Sequence, residues 1–316
     1  MMTPDARAIS LTDLPLLLRL SGSGTILDSE LQMTQDMQGA SLSSILMGRP
    51  TIIARAHNQQ ALGQFRYKTD DLNAHITFVG PQLNEDDDDS ALLHLLDGMA
   101  REAGKHGAHA LIAEVEVDQP LYRSLRRARF AAYARQTLWR RGPLKVNACP
   151  QLNLTEESST DQIGITSLMN STIPALQQIA FMPHGEVEGL VWRKDGQVEA
   201  YLTHVEGKHG IYIVPFVHPD VMNEAEALLL NAIARIPRTD RLPIAICVRS
   251  YQTWLESRLA ALGFEPLMEQ AVMVRHIAAG IKEPSFKQVR ARSKLEIATN
   301  AQRWVKNVHL TWETED

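Results

Sequence analysis

The chain has 316 residues, of which 44% are hydrophobic and 22% are charged, with a formal net charge of −5. This length accommodates about two ordinary domains, and the composition is that of a globular protein with real hydrophobic cores. The negative charge argues against nucleic-acid binding, which usually requires a basic excess. Cys149 and Cys247 are the only cysteines and lie far apart, so we expect neither a disulfide framework nor a metal site.

The N-terminal region carries neither a secretory pattern nor a membrane-spanning pattern. Its apolar run, residues 14–20, follows Asp13, contains Arg19 and is far too short to cross a bilayer. We therefore predict a cytoplasmic protein that has no membrane partner.

In the first half, the hydrophobic pattern predicts helices near the start, three antiparallel strands, and then alternating helices and strands. These elements cover residues 8–20, 29–46, 51–56, 61–67, 74–79, 90–106, 110–117, 120–129 and 131–140. An acidic loop, residues 81–89, precedes the helix predicted at 90–106. This order indicates a mixed sheet covered by helices, which is an α/β fold.

The second half repeats this order after a predicted linker, residues 143–160, which contains Pro150 and a run rich in Ser, Thr and Glu. Its elements cover 161–181 with a break at Pro174, then 187–192, 197–205, 210–217, 223–234, 243–248, 251–262 and 264–276. We therefore predict a first domain over residues 1–142 and a second over 161–280. An extension, 281–316, is expected to dock on these domains or on a second copy in a homodimer.

Landmarks at matching offsets indicate that one domain has been duplicated. The matching landmarks are Pro81 followed by Ala91-Leu92-Leu93, Pro219 followed by Ala227-Leu228-Leu229, Phe130 with Phe264, and Gln136 with Gln270.

These landmarks resemble the GNAT superfamily of acyl-CoA-dependent N-acyltransferases, in the arrangement where two such domains share one chain. Family members carry V-x-P-x-x-R-G-x-G-x-G/A-x-x-L-L where the fourth strand enters the third helix, and a G-F pair before the last strands. Here the frame consists of Val79, Pro81 and Ala91-Leu92-Leu93, then Val217, Pro219 and Ala227-Leu228-Leu229, with Leu262-Gly263-Phe264 closing the last helix. The resemblance covers about residues 8–277. It implies two tandem GNAT-like folds and transfer of an acyl group from acetyl-CoA or another acyl-CoA to an amine substrate.

The first half departs from the motif at its working positions. Residues 84–89, one Asn and five acids, stand where the family has Arg and Gly. Glycines there let backbone N–H groups surround a pyrophosphate at a helix N-terminus, whereas carboxylates repel it. We therefore expect no cofactor in the first half. The acids either cap the following helix or, as an alternative, hold a divalent cation.

Any activity is therefore expected in the second half, where the loop 220–226 also lacks Gly and Arg but retains a helix N-terminus. The cofactor-binding candidates, implied by the resemblance, are Val214, Phe216, Val217 and Asn223, with Asn223 as the helix cap. Backbone N–H groups of residues 214–217 would hold the oxyanion. The general-base candidates on its central strands are Glu188, Glu199, His204 and His218. Family members often carry a tyrosine that acts as the general acid five residues before the closing Phe, and here those positions are Leu125 and Leu259.

Two functions remain open at this point. One is acyl transfer in the second half; the other is a non-catalytic binding or scaffold protein that has lost acyl-CoA binding, since a fold does not fix a function. One segment is rich in arginine: Arg123, Arg126, Arg127, Arg129, Arg135, Arg140 and Arg141. It forms a solvated helix face, pairs with the acidic loop of the same domain, or contacts phosphate or nucleic acid.

Overall fold

One mixed β-sheet runs through both halves of the chain. The computed structural model describes residues 5–35, 49–67, 71–147, 152–181 and 189–277. Within these ranges the strands are β1 (Asp5–Ala8), β2 (Thr25–Ile26), β3 (Thr51–Ala56), β4 (Gln59–Tyr67), β5 (Asn73–Gly80), β6 (Ala110–Glu116), β7 (Ala131–Arg141), β8 (Leu154–Glu156), β9 (Gly189–Lys194), β10 (Gln197–Glu206), β11 (Ile211–Val217), β12 (Ile244–Arg249) and β13 (Glu265–His276). Their order in the sheet is β1-β3-β4-β5-β6-β13-β7-β12-β11-β10-β9-β8, and β2 pairs with β5 beside this path.

Helices cover both faces of this sheet. They are α1 (Leu14–Ser21), α2 (Ser29–Thr34), α3 (Ser90–Lys105), α4 (Pro120–Arg127), α5 (Gln162–Thr172), α6 (Gln178–Phe181), α7 (Ala225–Arg235) and α8 (Trp254–Ala261). Helix α3 buries Leu95, Leu96 and Met99 on one face, at the spacing that predicted it. The α/β fold predicted from the sequence is confirmed. No helix in the described ranges is both long and apolar enough to span a membrane.

Some predicted boundaries differ from those in the structure. Helix α2 ends at Thr34, inside the helix predicted at 29–46, because Gln35 adopts an extended backbone; residues 36–48 lie outside the described ranges. Strand β8 lies inside the predicted linker 143–160, where it pairs with β9, so that range is not a simple linker. The boundary at residue 142 stays a prediction, because the sheet continues across it. The extension, 281–316, lies outside the described residues.

The last strand of each half pairs with the other half. Strand β13 lies antiparallel between β6 and β7, with Met273 opposite Ala113 on β6. Strand β7 pairs in turn with β12, with Trp139 opposite Ile246. Each half therefore supplies the strand that covers the edge of the other, and the backbone bonds between halves are as extensive as those within a domain. The described residues fall in one compact unit that ends at Ala278.

Two glutamines, which the sequence analysis matched between the halves, lie opposite each other where β7 and β13 pair. Gln136 on β7 lies opposite Gln270 on β13, and both side chains are about 2% exposed. Gln136 Nε2 donates to Gln270 Oε1 at 3.1 Å, and Ser29 Oγ donates to the same oxygen at 2.7 Å. Cys247 Sγ donates to Gln136 Oε1 at 3.4 Å. These bonds satisfy amide groups that would be costly to bury alone.

A further hydrophobic cluster joins the halves on the face opposite α3. It contains Ile112 and Val272 beside Tyr212 and Phe216, and α5 packs onto it through Leu168. The residues of the second half's central strands are therefore set against strands of the first half. The position of any site on β11 and β12 depends on this shared core.

We expect that a chain cut between residues 150 and 151 refolds only when both pieces are present. The first piece lacks β13, which lies between β6 and β7, and the second piece lacks β7, which lies between β13 and β12. Each piece alone therefore has strand edges whose backbone groups are left without hydrogen-bond partners. The pieces should co-purify, and their mixture should unfold cooperatively by circular dichroism. Cooperative unfolding of the isolated first piece as a monomer would contradict this description of the fold.

Candidate active site

The gap between β5 and β6 in the first half is filled by the protein's own chain. These parallel strands pair from Asn73 to His75 and then separate. The segment 24–29 enters the space between them. Within it, β2 pairs with β5 through Thr25 opposite Val79 and Ile26 opposite Phe78. Leu27 N donates to Thr77 O at 3.1 Å, and Glu114 N on β6 donates to Leu27 O at 3.0 Å.

Close packing holds this segment in the gap. A side chain at Gly24 would place its Cβ within 2.5 Å of Val79 O and against the Phe78 ring, so only glycine fits. Leu27 is buried, and Ser29 N donates to the Glu114 carboxylate at 2.7 Å. An extended ligand cannot pair with this side of β5 unless it displaces the segment.

The acidic loop stabilises the beginning of α3. Asp88 Oδ1 accepts from Ser90 N at 3.0 Å, and hydrogen bonds from Ser90 lower the pKa of Asp88. Asp89, only 7% exposed, accepts from Ser124 Oγ at 2.8 Å and from Arg127 Nη1 at 2.7 Å. The predicted capping is confirmed at Asp88, whereas Asp89, the N-cap residue, makes no side-chain bond to the helix backbone; the pairing with the arginine-rich segment is confirmed at Arg127. In the described ranges, no group of three His, Cys, Asp or Glu side chains is arranged to hold a metal ion.

We expect Asp89→Ala to destabilise the protein by about 1–3 kcal/mol, because it leaves the buried Ser124 hydroxyl without its acceptor. The matched control is Asp86→Ala, which removes an exposed charge from the same loop and should change stability by less than about 0.5 kcal/mol. Urea unfolding of both variants measures the difference. Equal stability of the two variants would mean that the Asp89 contacts contribute nothing.

The corresponding gap in the second half lies between β11 and β12. These strands pair only from Ile211 to Ile213, and the described residues form no further ladder on that side of 214–217. Ile211 N donates to Pro243 O beside β12, so residues 211, 213, 215 and 217 direct their backbone groups to this gap. Val214 O instead accepts from Thr203 on β10. Because Pro215 lacks an N–H, Val217 carries the one gap-facing N–H within 214–217.

This alternation corrects the expected oxyanion donors. The backbone groups of Val214 and Phe216 are directed to the ladder with β10, so these two residues offer the gap only their side chains.

Asn223 is also not the helix cap: it is exposed within the 3-10 segment Pro219–Glu224, and α7 begins later with Glu224 as its N-cap. The helix begins later because His218 accepts from Asp220 N and starts that tighter turn first.

Two of the base candidates come together at the end of β11. His218 N donates to Glu199 O at 2.9 Å, and His218 Nδ1 lies 3.6 Å from Glu199 Oε2. Asp220 Oδ2 also lies 3.6 Å from Nδ1. Nδ1 also accepts a hydrogen bond from Asp220 N at 3.3 Å, so in this geometry Nδ1 is the ring nitrogen with the lone pair and Nε2 carries the proton of the neutral imidazole.

The other candidates do not join this pair. His204 lies opposite Ile213, five residues along β10 from Glu199, which is about 16 Å at the rise of a strand. Glu188 lies outside the described residues. Leu125 and Leu259 are completely buried in their cores, so neither helix places an acid at the family's tyrosine position.

Arg249 is a residue that the sequence analysis missed. It ends the otherwise apolar strand β12, and its side chain is only 8% exposed. Its guanidinium carbon lies 3.8 Å from the ring centroid of Phe181 and 4.9 Å from that of Phe216. The sequence feature that could have identified it is its place directly after the apolar run Ile-Ala-Ile-Cys-Val, because a charged residue at the end of a buried strand often has a specific role.

Cys247, two residues earlier on the same face, is not a nucleophile. It is completely buried, and this burial raises the pKa of its thiol to about 11. The thiol therefore stays protonated at neutral pH and donates to Gln136.

In a Cys149→Ser background, Cys247 should react with iodoacetamide at least about 100-fold more slowly in the folded protein than in urea. At pH 8, a pKa of about 11 leaves roughly one thiol in a thousand ionised, and burial also blocks access. Mass spectrometry of timed samples gives the rates. Rapid labelling of the folded protein would show that the thiol is accessible and reactive.

Comparisons with known proteins show the fold. Neither the protein-family models nor the curated proteins match this sequence. Among solved structures, a GCN5-related N-acetyltransferase from Sphaerobacter thermophilus is similar, with a TM-score of 0.54 and 12% identity, over 89% of this chain and 98% of the other. A tandem GNAT protein from the clavulanic acid biosynthesis pathway has a TM-score of 0.50 and 12% identity, over 89% of this chain and 100% of the other. The chain therefore has the tandem GNAT fold predicted from its motifs.

Proposed function

We propose that the second half of this protein binds an acyl-CoA thioester and transfers its acyl group to an amine. The observation that carries the proposal is the difference between the two gaps. The first is filled by residues 24–29, whereas the second has the Val217 N–H directed into it and the His218–Glu199 pair at the end of the same strand. One similar solved structure is described as an N-acetyltransferase, in line with this assignment.

The chemistry assigns one role to each of these groups. An amine attacks the thioester carbonyl only in its neutral form, and the proton that the nitrogen releases would be accepted by the unprotonated Nδ1 of His218 or by the Glu199 carboxylate beside it. Glu199 and Asp220 would stabilise the imidazolium that forms. The Val217 N–H is the backbone donor available to a developing oxyanion. The protonated His218 could then return a proton to the thiolate that leaves.

The residues present fit the thioester arm of such a ligand better than its nucleotide end. The gap offers one backbone donor on β11 to an extended chain. The beginning of α7 instead carries Asp220, Glu224 and Glu226, and Lys194 Nζ is paired with Glu224 at 3.1 Å. A pyrophosphate at that helix end would meet like charge. We therefore expect weak binding that depends on ionic strength.

A second candidate is a ligand-binding protein without transferase activity. Two residues favour it. Pro215 has no backbone N–H to direct into the gap, and Leu259 is a buried apolar residue at the position of the family's general-acid tyrosine. Both functions predict a ligand in the second gap. They differ in whether acetyl-CoA is consumed when an amine is added.

The deciding experiment follows release of free thiol from acetyl-CoA in the presence of a panel of primary amines. His218→Gln should lower the rate about 10²–10⁴-fold, with little effect on acetyl-CoA binding, because it removes a base without altering the gap. The matched control, His204→Gln, replaces a histidine on β10 that does not adjoin the pair and should retain activity.

Calorimetric titration of acetyl-CoA into the same proteins separates the two candidates. Binding without thiol release, across the amine panel, would favour the non-catalytic protein. No binding up to millimolar acetyl-CoA would reject acyl transfer from coenzyme A altogether.

A further inference from the structure

Arg249 is a deeply buried cation without a carboxylate partner among the described residues. Its Nη1 contacts Tyr251 Oη at 3.3 Å, but no described group accepts a hydrogen bond from its Nε. Two less buried arginines differ from it. Arg66 pairs with Asp28 at 2.7 Å, and Arg275 pairs with Asp97 at 2.6 Å. A charge removed from water is costly unless another charge or several hydrogen bonds compensate it.

Two aromatic rings contact the guanidinium of Arg249. Phe181 on α6 and Phe216 on β11 lie against the guanidinium, and their ring faces attract a cation. Such contacts stabilise the flat faces of the group but provide no hydrogen-bond acceptor. Guanidinium N–H groups lie in the plane of the group, and a carboxylate matches that edge with two oxygens.

A second unpartnered polar side chain lies in the same turn. Gln252 is 2% exposed, and neither its amide oxygen nor its amide nitrogen has a partner in the described part of the chain. It ends the 3-10 turn Ser250–Gln252, which follows Arg249 directly. Buried amides are normally hydrogen-bonded, whereas here the Nε of Arg249 and both amide atoms of Gln252 have no partner among the described residues.

These groups lie beside the proposed acyl-transfer site. Arg249 ends β12, one wall of the second gap, and Phe216 on β11 is followed by Val217 and His218. Thus the strand that carries the proposed donor and base also supplies one of the rings that contact the cation.

We propose that Arg249 binds the carboxylate of a small-molecule ligand, and that the acyl acceptor is therefore an amine that also carries a carboxylate, as an amino acid does. The identification of this ligand as the acceptor rests on the proposed function. Carboxylate binding by Arg249 does not.

The first test measures binding without any acyl donor. Glycine, L-phenylalanine and L-glutamate are titrated calorimetrically into the full-length protein beside two amines without a carboxylate, methylamine and phenethylamine, and inorganic phosphate. We expect at least one amino acid to bind, and Arg249→Met to weaken it at least tenfold. Arg135→Met is the matched control, because it removes the same charge from an exposed pair with Glu269 and should bind as the parent does.

Thermal unfolding of the unliganded variants provides a second readout. Because an unpaired buried cation is unfavourable, Arg249→Met should unfold at the same temperature as the parent or higher. A marked loss of stability would indicate that the cation is paired within the folded chain, and would overturn the proposal. So would a lack of binding by every amino acid, equal binding by the Arg249→Met variant, or binding of phosphate alone.

Transferase assays distinguish this inference from the proposed function. If carboxylate binding depends on Arg249 but no acetyl-CoA is consumed, the anion site stands and the acyltransferase assignment fails. If methylamine and phenethylamine are acetylated as well as the amino acids, and Arg249→Met does not alter those rates, acyl transfer stands and this inference fails.

Discussion

The backbone pairing of β13 with β6 and of β7 with β12 is the constraint on which the rest of the structure depends. Each half would otherwise end in a sheet edge with unsatisfied backbone groups, and each supplies the strand that covers the edge of the other. The Gln136–Gln270 contact lies where the last strands of the two halves pair. Because each half supplies a strand to the other, we expect the two halves to fold as one body rather than as two independent ones.

This shared sheet permits the halves to differ. In the first, residues 24–29 bind to both β5 and β6, and the acids before α3 are used for helix capping and for contacts with Ser124 and Arg127. The contacts described for the first half therefore stabilise the fold, and the chemistry that we propose lies in the second half.

The second half combines features that favour a ligand with others that limit the reaction. Val217 and the buried Arg249 lie on the two strands that border its gap, and His218, which follows β11, contacts Glu199 on the neighbouring strand β10. Pro215 and Leu259 remove groups that would assist acyl transfer, and carboxylates occupy the beginning of α7. A weakly held thioester with an acceptor anchored by its carboxylate satisfies these constraints together.

Much of this arrangement was predictable from the sequence, because local periodicity determines which segments are helices and strands. The spacing of Leu95, Leu96 and Met99 predicted α3, and the motif landmarks in the two halves predicted the tandem GNAT-like fold. Local pattern likewise predicted that the acids before α3 would cap it. These features depend on neighbours within a few residues along the chain.

Only the tertiary structure decided which residues meet across the sheet. The filling of the first gap joins β2 to strands about 50 and 90 residues later in the chain, and no periodicity encodes such a contact. The direction of each backbone N–H on β11 follows from its pairing with β10, which restricts the gap-facing donor to Val217. The contacts of Arg249 with Phe181 and Phe216 likewise depend on how distant elements pack, because burial and charge compensation are properties of the folded chain and not of any one segment.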